Sequence, residues 1–316
     1  MRVVVVGAGL SGLMAARRLT AAGHDVVVLD KGRSPGGRLA TRRIGAARLD
    51  HGAQFFTVRS DAFAEHVAEW QREGLVFEWC RGFAADADGY PRYAVHGGMN
   101  GLAKHLARGL DVRCDSLVFS LHRTPGAPSG EWEVKLDDAS VVAADALVVT
   151  CPIPQTFSLL VSADVAMPEA LWRTDYDRTL CLLAVCAGPM AVPEPGGVQG
   201  ADGFTFIADN RRKGISDIDA ITLHADPAWS SEHWDTPVDE VHRALLDQAR
   251  PWLGDTEVVE SQVKRWRFAT PRSIWPEATW SPDDVGSLAL AGDAFAGPRV
   301  EGAAVSGLAA AAALLG

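Results

Sequence analysis

The sequence VVVVGAGLSG, residues Val3 to Gly12, opens the chain and is the stretch that decides its fold. An apolar run that leads into glycines at this spacing is typical of a strand, a phosphate-binding turn and a helix. Gly7 permits the tight turn, Gly9 lets backbone N–H groups approach a pyrophosphate, and Gly12 lets the helix lie close to the strand. The helix N-terminus then favours an anion.

The next residues complete a βαβ unit. An apolar helical stripe ends at Gly23, and a second strand, Val26 to Leu29, is followed directly by Asp30. An acid at this point accepts hydrogen bonds from ribose hydroxyls, and an acid instead of Arg favours an unphosphorylated adenosine ribose, as in NAD or FAD. An ordinary glycine-rich turn is the alternative, but strand, helix, second strand and acid together favour nucleotide binding.

Two further segments distinguish between the dinucleotides. KGRSPGGR, residues 31–38, is a second glycine-rich loop that a typical NAD dehydrogenase lacks, and LALAGD, residues 288–293, predicts a buried strand ending in Gly-Asp before a helix near Glu301. This arrangement resembles the flavoproteins that include amine oxidases, protoporphyrinogen oxidases and phytoene desaturases. The resemblance implies FAD, with Asp293 at the ribityl chain. The helix start would stabilise reduced flavin, although plain packing of an Ala-rich helix is an equally compatible role.

Four motifs together resemble the renalase-like branch of that group. They are PGGRLATRR (35–43), DHGAQFFT (50–57), HGGMNGL (96–102) and RWRFATP (265–271). The resemblance implies a flavin oxidase of misformed dihydronicotinamides, in which hydride passes to flavin N5 and dioxygen is reduced to hydrogen peroxide. It also implies an α/β fold, with a Rossmann-like FAD-binding domain of the glutathione-reductase-2 type interleaved with an α+β substrate domain on a mostly antiparallel sheet. We expect 1–58, 96–151 and 285–316 in the first domain, and 59–95 and 152–284 in the second.

The expected cofactor contacts follow these motifs. Arg38 is expected to pair with pyrophosphate oxygens, and Val118 to contact adenine through its backbone, unless it is simply a strand core residue. The full expected set is Gly7, Gly9, Leu10, Ser11, Gly12, Asp30, Lys31, Gly37, Arg38, Leu39, His51, Gly52, Ala53, Gln54, Phe55, Val118, Gly292, Asp293, Glu301, Gly302 and Ala303.

No side chain is a convincing nucleophile, metal ligand or acid–base pair, so the chemistry is assigned to the cofactor. His51 and Gln54 are candidates to hydrogen-bond the flavin or a substrate carboxamide. Arg267 could bind a substrate carbonyl or phosphate, with a salt bridge to an acid as the alternative. Trp275, together with Trp266 and Trp280, is a candidate wall for a flat ring, whereas the remaining tryptophans after 200 are expected in the core: Trp229, Trp234 and Trp252.

Composition limits the function classes. The net charge of −10 argues against a nucleic-acid partner, and Arg211 to Lys213 is expected to be a solvated basic cluster. Five cysteines without a C-x-x-C pair indicate neither a disulfide framework nor a zinc site. Cys181 and Cys186 are expected in a buried strand. No cysteine lies near the C-terminal Gly-Asp, so the FAD is expected to be non-covalent and no metal is expected.

The chain has no recognisable secretory signal, and its terminal apolar stretch is shorter than the about twenty residues that span a bilayer. We therefore expect a cytoplasmic enzyme with a small-molecule substrate, dioxygen as acceptor and no membrane partner; the oligomeric state stays open. One alternative is an amine oxidase or desaturase, for which Lys264 is the lysine in a suitable segment. Another is a flavin-binding protein without turnover.

Patterning also predicts individual elements. We expect an amphipathic helix over 60–73, helices over 97–110 and 237–253, and one strand over 141–150.

Overall fold

The computed structural model describes residues 1–83, 88–127, 130–285 and 287–316. The chain forms two compact units. Unit 1 consists of Met1–Gly37, Ala103–Asp175 and Pro271–Gly316, and unit 2 of Arg38–Leu102 and Tyr176–Thr270. Each unit is discontinuous in sequence, and each is built on its own sheet, which confirms the predicted fold class.

The compact units differ from the predicted domain ranges at four places. Residues 38–58 and 96–102 belong to unit 2, whereas 152–175 and 271–284 belong to unit 1. For 38–58 the reason is packing, because Ile44, Ala47 and Leu49 are buried against Cys181 and Leu183 in a core cluster of unit 2. Residues 38–58 therefore belong to unit 2, although they follow the nucleotide-binding strands directly in the sequence.

Unit 1 is built on a parallel sheet with the predicted glycine-rich turn at one edge. Its strands, in spatial order, are β17 (Leu288–Leu290), β11 (Ala146–Val149), β1 (Arg2–Val6), β2 (Asp25–Leu29) and β7 (Asp111–Arg113). β1 pairs in parallel with both β11 and β2. Val3, Val4 and Val5 are fully buried, as expected for a strand in the middle of a parallel sheet.

Four helices and a small sheet complete unit 1. The helices are α1 (Leu10–Ala21), α4 (Ile153–Ser162), α5 (Glu169–Trp172) and α8 (Val300–Leu315). Helices α1 and α8 approach closely, because a Cβ at Gly307 would lie 2.0 Å from the carbonyl oxygen of Ser11. The second sheet is antiparallel, in the order β10 (Val141–Ala144), β9 (Trp132–Leu136) and β8 (Val118–Arg123).

Two predicted elements need correction. The single strand expected over 141–150 is two strands in different sheets, β10 and β11. They are separated by the exposed Asp145, whose carboxylate accepts a hydrogen bond from the Arg2 N–H at 2.6 Å. The helix expected over 97–110 is the shorter α3 (Asn100–Leu106). Gly97 and Gly98 have φ of 75° and 108°, which no α-helix contains.

Unit 2 is built on a five-stranded sheet, whose assigned pairings are antiparallel. Its strands are β13 (Gly197–Ala201), β14 (Phe204–Asp209), β15 (Ala220–Ala225), β12 (Tyr176–Cys186) and β16 (Val258–Pro271). One face packs on α7 (Val238–Leu253), with Trp229, Trp234 and Trp252 against that core, as predicted. Cys181 and Cys186 are buried in β12, also as predicted.

Two hairpins and two further helices belong to unit 2. They are β3 (Thr41–Ile44) with β4 (Ala47–Asp50), β5 (Val76–Cys80) with β6 (Arg92–Val95), α2 (Asp61–Arg72) and α6 (Pro227–Glu232). α2 is the predicted amphipathic helix: the Ser60 hydroxyl caps it, and Phe63, Val67 and Trp70 are buried. Over the residues described, the structure contains no helix whose length and apolarity would suit a bilayer crossing.

Candidate functional site

The glycine-rich turn of unit 1 lies where the parallel strands end. Thr150, directly after β11, donates from its hydroxyl to the carbonyl oxygens of Val6 at 3.0 Å and Gly7 at 3.2 Å. A Cβ at Gly292, just after β17, would lie 3.9 Å from the Thr150 carbonyl oxygen. The first and last glycine motifs therefore meet at the carboxyl edge of the sheet, which is where open α/β sheets bind their ligands.

The three glycines of the turn differ in what surrounds them. A Cβ at Gly12 would lie 1.9 Å from the Gly7 carbonyl oxygen, and a Cβ at Gly7 would lie 2.5 Å from the Thr150 hydroxyl. A Cβ at Gly9 would meet no atom within 4 Å. Protein packing therefore requires glycine at two of these positions, whereas the space at Gly9 is open for a ligand.

The second glycine loop contacts the first. The Gly36 N–H donates to the Ala8 carbonyl oxygen at 2.8 Å, and a Cβ at Gly37 would lie 3.4 Å from the Gly9 Cα. Gly37 has a φ of 52°, a conformation that favours glycine. The predicted loop pair thus forms one backbone-lined surface next to the start of α1.

Asp30 fixes this surface from the end of β2. Its carboxylate accepts hydrogen bonds from the Ala8 N–H at 2.6 Å and the Gly32 N–H at 2.7 Å. The side chain is half-buried, and each carboxylate oxygen keeps a second lone pair. Ribose binding by Asp30 stays a prediction, and the structure adds a second role for this acid, which is to hold the two loops together.

The far end of the chain forms the remaining part of the unit 1 site. The Gly292 N–H donates to the Ser306 hydroxyl at 2.9 Å. Helix α8 begins at Val300, and Arg299 makes no side-chain capping hydrogen bond. Stabilisation of an anion at this helix start stays a prediction. Packing is the second role of this helix, because a Cβ at Gly302 would lie 2.2 Å from the Gly297 carbonyl oxygen.

Trp275 lies beside the Gly-Asp segment. Its backbone N–H donates to the Ala294 carbonyl oxygen at 2.8 Å, and its carbonyl accepts from the Ala296 N–H at 3.1 Å. The indole is half-buried. Trp275 is therefore tied by its backbone to the loop that follows Asp293, and its role as a ring wall stays a prediction.

In unit 2 the predicted His51 to Phe55 segment follows β4 directly. The Trp266 indole N–H of β16 donates to the His51 carbonyl oxygen at 2.6 Å, and the two rings stack with centroids 5.3 Å apart. A Cβ at Gly52 would lie 1.9 Å from the Arg38 carbonyl oxygen, which the Ala53 N–H also binds at 2.9 Å. The motifs around Arg38, His51 and Trp266 are therefore in contact.

Gln54 lies inside unit 2. Its amide Nε2 donates to the carbonyl oxygens of Asp50 at 2.7 Å and Gly52 at 3.2 Å, and its Oε1 lies 3.4 Å from Lys213 Nζ. The side chain is only 6% exposed. The amide is thus engaged by its own unit, and its predicted contact with the flavin or a carboxamide stays a prediction.

Lys213 was expected in a solvated basic cluster, and this prediction is wrong. Its ammonium is fully buried and lies 2.7 Å from the equally buried Asp50 carboxylate. The other Asp50 oxygen accepts from the Thr41 hydroxyl at 2.5 Å and the Met99 N–H at 2.8 Å. Arg211 and Arg212 are exposed, so within this basic run only Lys213 points inward, towards the single acid of the DHGAQFF motif.

The two histidines of this region are neutral. Burial, followed by the charges of Lys264 and Arg42, lowers the pKa of His51 to about 4. Burial, followed by the charges of His51 and Lys213, lowers the pKa of His224 to about 4. His51 Nδ1 is buried and has no hydrogen-bond partner among the described residues. At neutral pH His51 can therefore donate or accept one hydrogen bond to a ligand, but it carries no charge.

Arg38 contacts protein carbonyls in this structure. Its guanidinium donates to the carbonyl oxygens of Phe268 at 3.3 Å and Ala269 at 3.2 Å, and it lies 5.7 Å from the Tyr176 ring centroid. The predicted pyrophosphate contact stays a prediction. Arg265 donates to the carbonyl oxygens of Trp234 and Thr236, whereas Arg267 is exposed on the same face of β16 and makes no ion pair within the described ranges.

The other expected cofactor residues lie in different surroundings. Leu10, Ser11, Leu39 and Val118 are buried; Lys31 is exposed close to Cys151, whose pKa burial raises to about 12. Phe55 belongs to an aromatic cluster of unit 2, with ring centroids 5.2 Å from Phe83 and 5.5 Å from Phe206. Glu301 is buried in the first turn of α8, and Ala303 donates to the Arg299 carbonyl oxygen at 3.0 Å.

Sequence reasoning missed Lys213, His224 and the aromatic partners of Phe55. No local signal identifies Lys213 or His224, because each is recognised only by a partner more than 150 residues away. Phe83 and Trp79 offered a weak signal, an aromatic pair at a spacing of four. Across the described part of the chain, no three His, Cys, Asp or Glu side chains lie together in a way that could hold a metal ion.

Family comparisons agree with this geometry. A model of NAD(P)-binding Rossmann-like domains matches residues 5–72. A model of flavin containing amine oxidoreductases matches residues 59–315, most of the chain. The chain belongs to this flavin-containing family.

Individual relatives are similar over shorter stretches. A Mycobacterium tuberculosis protein described as a flavin-containing monoamine oxidase is 47% identical over 144 residues, which is 41% of this chain and 32% of that protein. The hydroxyneurosporene desaturase of Rubrivivax gelatinosus is 47% identical over 58 residues, 18% of this chain and 11% of that protein. This chain therefore covers a third or less of the length of these curated relatives.

Solved structures show the same fold over the full length. The cyclohexylamine oxidase of Brevibacterium oxydans superposes with a TM-score of 0.75 at 14% identity, covering 99% of this chain and 98% of that chain. A putrescine oxidase bound to putrescine gives a TM-score of 0.75 at 17% identity, covering 100% and 99%. At this identity the likeness concerns the fold alone.

The residues present fit the family's cofactor, FAD held without a covalent bond. In unit 1 the open space at Gly9 adjoins two glycine loops and the start of α1, which suits a pyrophosphate. The buried thiols nearest the turn are unsuited to attachment, since burial raises the pKa of Cys151. FAD is the cofactor of this family, and the residues around Gly9 fit its pyrophosphate.

Proposed function

We propose that the chain is an FAD-dependent oxidase of dihydronicotinamide isomers, in which the hydride sits on the wrong ring carbon. The observation that carries this proposal is the pair formed by His51 and Trp266. A neutral imidazole, whose buried Nδ1 has no hydrogen-bond partner within the described ranges, is stacked on an indole, and both belong to the motifs that resemble the renalase-like branch. Such a pair suits a flat ring bearing a carboxamide.

The residues of the chain would bind and orient the substrate. A dihydropyridine loses hydride without prior loss of a proton from carbon, so no side chain has to act as a strong base. The depressed pKa of His51 suits this role, because the imidazole stays neutral at neutral pH and offers a hydrogen bond. The Trp266 N–H holds the His51 carbonyl and thereby fixes the backbone of the same segment.

The cofactor supplies the redox chemistry. When bound, FAD would supply a hydride acceptor and the two-electron reduction of dioxygen, which with two protons gives hydrogen peroxide. In unit 1 the loops around Gly9 and Gly37 and the carboxylate of Asp30 would hold its nucleotide part, and the start of α8 would favour negative charge.

An amine oxidase is the second candidate, and Lys264 favours it. Lys264 lies two residues before Trp266 on β16, so both side chains lie on one face of the strand. Burial, followed by the charge of Arg42, lowers the pKa of Lys264. A lysine with a lowered pKa beside an aromatic ring suits proton handling on an amine substrate.

Product analysis tests the proposal. The purified protein is incubated in air with an NADH preparation that contains the minor isomers, and both the isomers and ordinary NADH are followed by proton NMR. We expect the isomer signals to disappear, with NAD⁺ and one equivalent of hydrogen peroxide formed, while ordinary NADH persists. Persistence of the isomers, with peroxide formed from amines, would move the function to the second candidate. Flavin without any turnover would contradict both.

A further inference from the structure

Two cations of unit 2, Arg42 and Lys264, have no acidic partner among the residues that the structure describes. Arg42 pairs with Leu49 across the β3–β4 hairpin, so their side chains share one face, opposite to Thr41 and Asp50. Leu49 on that face packs against Cys181 of β12. Arg42 therefore projects from the face of the hairpin that covers the sheet.

Lys264 reaches the same place from the sheet. β16 lies next to β12, and Lys264 shares a strand face with Trp266, which stacks on His51 at the end of the hairpin. The electrostatic coupling agrees with this placement, because Lys264 and Arg42 both lower the pKa of His51, and Arg42 lowers that of Lys264. Among the described residues no carboxylate lies within ion-pair distance of Arg42 or Lys264.

The cluster also has an unused hydrogen-bonding atom. His51 Nδ1 is buried and unpartnered among the described residues. Arg42 is exposed and Lys264 is half-buried, so both remain accessible from solvent. Two accessible cations without an acidic partner in the described part of the chain favour a ligand that brings negative charge.

We propose that Arg42 and Lys264, which lie next to His51, form an anion subsite that binds the phosphate groups of the substrate. This inference rests on the proposed function and specifies its substrate class, a dinucleotide carrying its pyrophosphate. A cationic amine would be repelled by the same two charges, and a dihydronicotinamide without phosphate would lose their attraction.

Substitution of the two cations tests the subsite. The variants are Arg42→Gln and Lys264→Gln, with Arg43→Gln as a matched control. Arg43 is the next residue of the same strand, and its side chain is exposed on the other face of the hairpin. Its substitution removes the same charge. Circular dichroism and Tm establish that all four proteins are folded.

The first readout is calorimetric binding of inorganic pyrophosphate to the holoenzyme at low salt. We expect each cluster variant to lose affinity by about tenfold, and Arg43→Gln to stay within about twofold. The difference should shrink as salt is added. Equal binding by all four proteins, or no binding by any, would overturn the subsite.

The second readout compares a dihydronicotinamide dinucleotide isomer with the corresponding nucleoside isomer, which lacks phosphate. We expect the cluster variants to raise KM about tenfold for the dinucleotide alone, with kcat nearly unchanged. An equal rise for the nucleoside would overturn a phosphate role. A fall in FAD content would assign the anion to the cofactor and overturn it too. Pyrophosphate binding needs no turnover, so failure of the proposed function is distinguishable from failure of the subsite.

Discussion

The glycine-rich turn of unit 1 and the DHGAQFF segment of unit 2 place polar groups in different ways. The turn uses backbone N–H groups and glycines that lie within thirty residues, and Asp30 bonds to Ala8 and Gly32. The DHGAQFF segment uses side chains, and its acid, Asp50, bonds to Lys213 across 163 residues. The first arrangement repeats wherever the local spacing repeats, whereas the second exists only once the fold has brought distant strands together.

The two regions are therefore suited to different tasks, phosphate binding and the orientation of individual side chains. Backbone groups at the edge of a parallel sheet suit a phosphate, whose recognition needs N–H donors and little else. A buried network of side chains can fix the orientation of individual rings and amides, at a cost in desolvation. Variation in the second region therefore changes stability and ligand geometry together, whereas variation in the first can separate them.

The largest expected effect is removal of the buried ammonium. Lys213→Met leaves the Asp50 carboxylate buried without its cation, so we expect the free energy of unfolding to fall by about 4 kcal/mol. Urea unfolding measures it. The double variant Asp50→Asn with Lys213→Met should recover most of the loss, and Lys135→Met, at an exposed strand position, should change little. A loss below about 1 kcal/mol would show that the buried ion pair does not contribute the expected free energy of unfolding.

Next in size is the contrast between two glycines of one turn. Gly12→Ala places a Cβ 1.9 Å from a backbone oxygen and should cost about 3 kcal/mol. Gly9→Ala enters open space and should cost less than about 1 kcal/mol, yet lower FAD affinity at least about tenfold. Thermal unfolding of the apoproteins and flavin fluorescence titration measure the two effects. Equal stability losses would contradict the separation of packing from ligand space.

The histidines of unit 2 predict a pH dependence. The folded pKa values of His51 and His224 are about 4, below the unfolded value of 6.5, so the unfolded chain binds more protons between these values. The contribution is therefore complete above pH 6.5 and is lost as the pH falls towards 4. We expect about 2 kcal/mol per histidine between pH 6.5 and 5. Urea unfolding of His224→Asn at both pH values should show a smaller difference than wild type, and the exposed His122→Asn should not.

A small effect on stability is expected at Asp30. Asp30→Ala removes the acceptor of two loop N–H groups, and we expect a cost of about 1 kcal/mol. Flavin content after dialysis should fall clearly, since the ribose also loses its acceptor. Asp25→Ala, an exposed acid on the same strand, is the control. Unchanged flavin content in Asp30→Ala would contradict the nucleotide role of this residue.

Much of the fold could be predicted because its signals are local. The strand, turn, helix and acid from Val3 to Asp30 carry period and spacing in one stretch, and the amphipathic pattern identified α2. The break at Asp145 escaped prediction because β10 and β11 form a single apolar run whose division depends on different partner strands. Positive φ at Gly97 and Gly98 shortened α3 for a reason that composition alone does not show.

The site divides in the same way. The glycine positions followed from the motifs, whereas the contact between His51 and Trp266 of the RWRFATP segment could be seen only in the structure. Lys213 could not be predicted, because a lysine after two exposed arginines has the pattern of a solvated run. Its burial is decided by Asp50, which no local pattern connects to it.

We propose that dihydronicotinamide isomers, and not amines, deliver electrons to the bound flavin. Anaerobic mixing of the purified flavoprotein with the isomer fraction, and separately with a panel of primary and polyamines, tests it through the flavin absorbance near 450 nm. We expect rapid bleaching of the flavin absorbance by the isomers and no bleaching by amines. On admission of air the absorbance should recover, with formation of peroxide. Bleaching by an amine alone would contradict it.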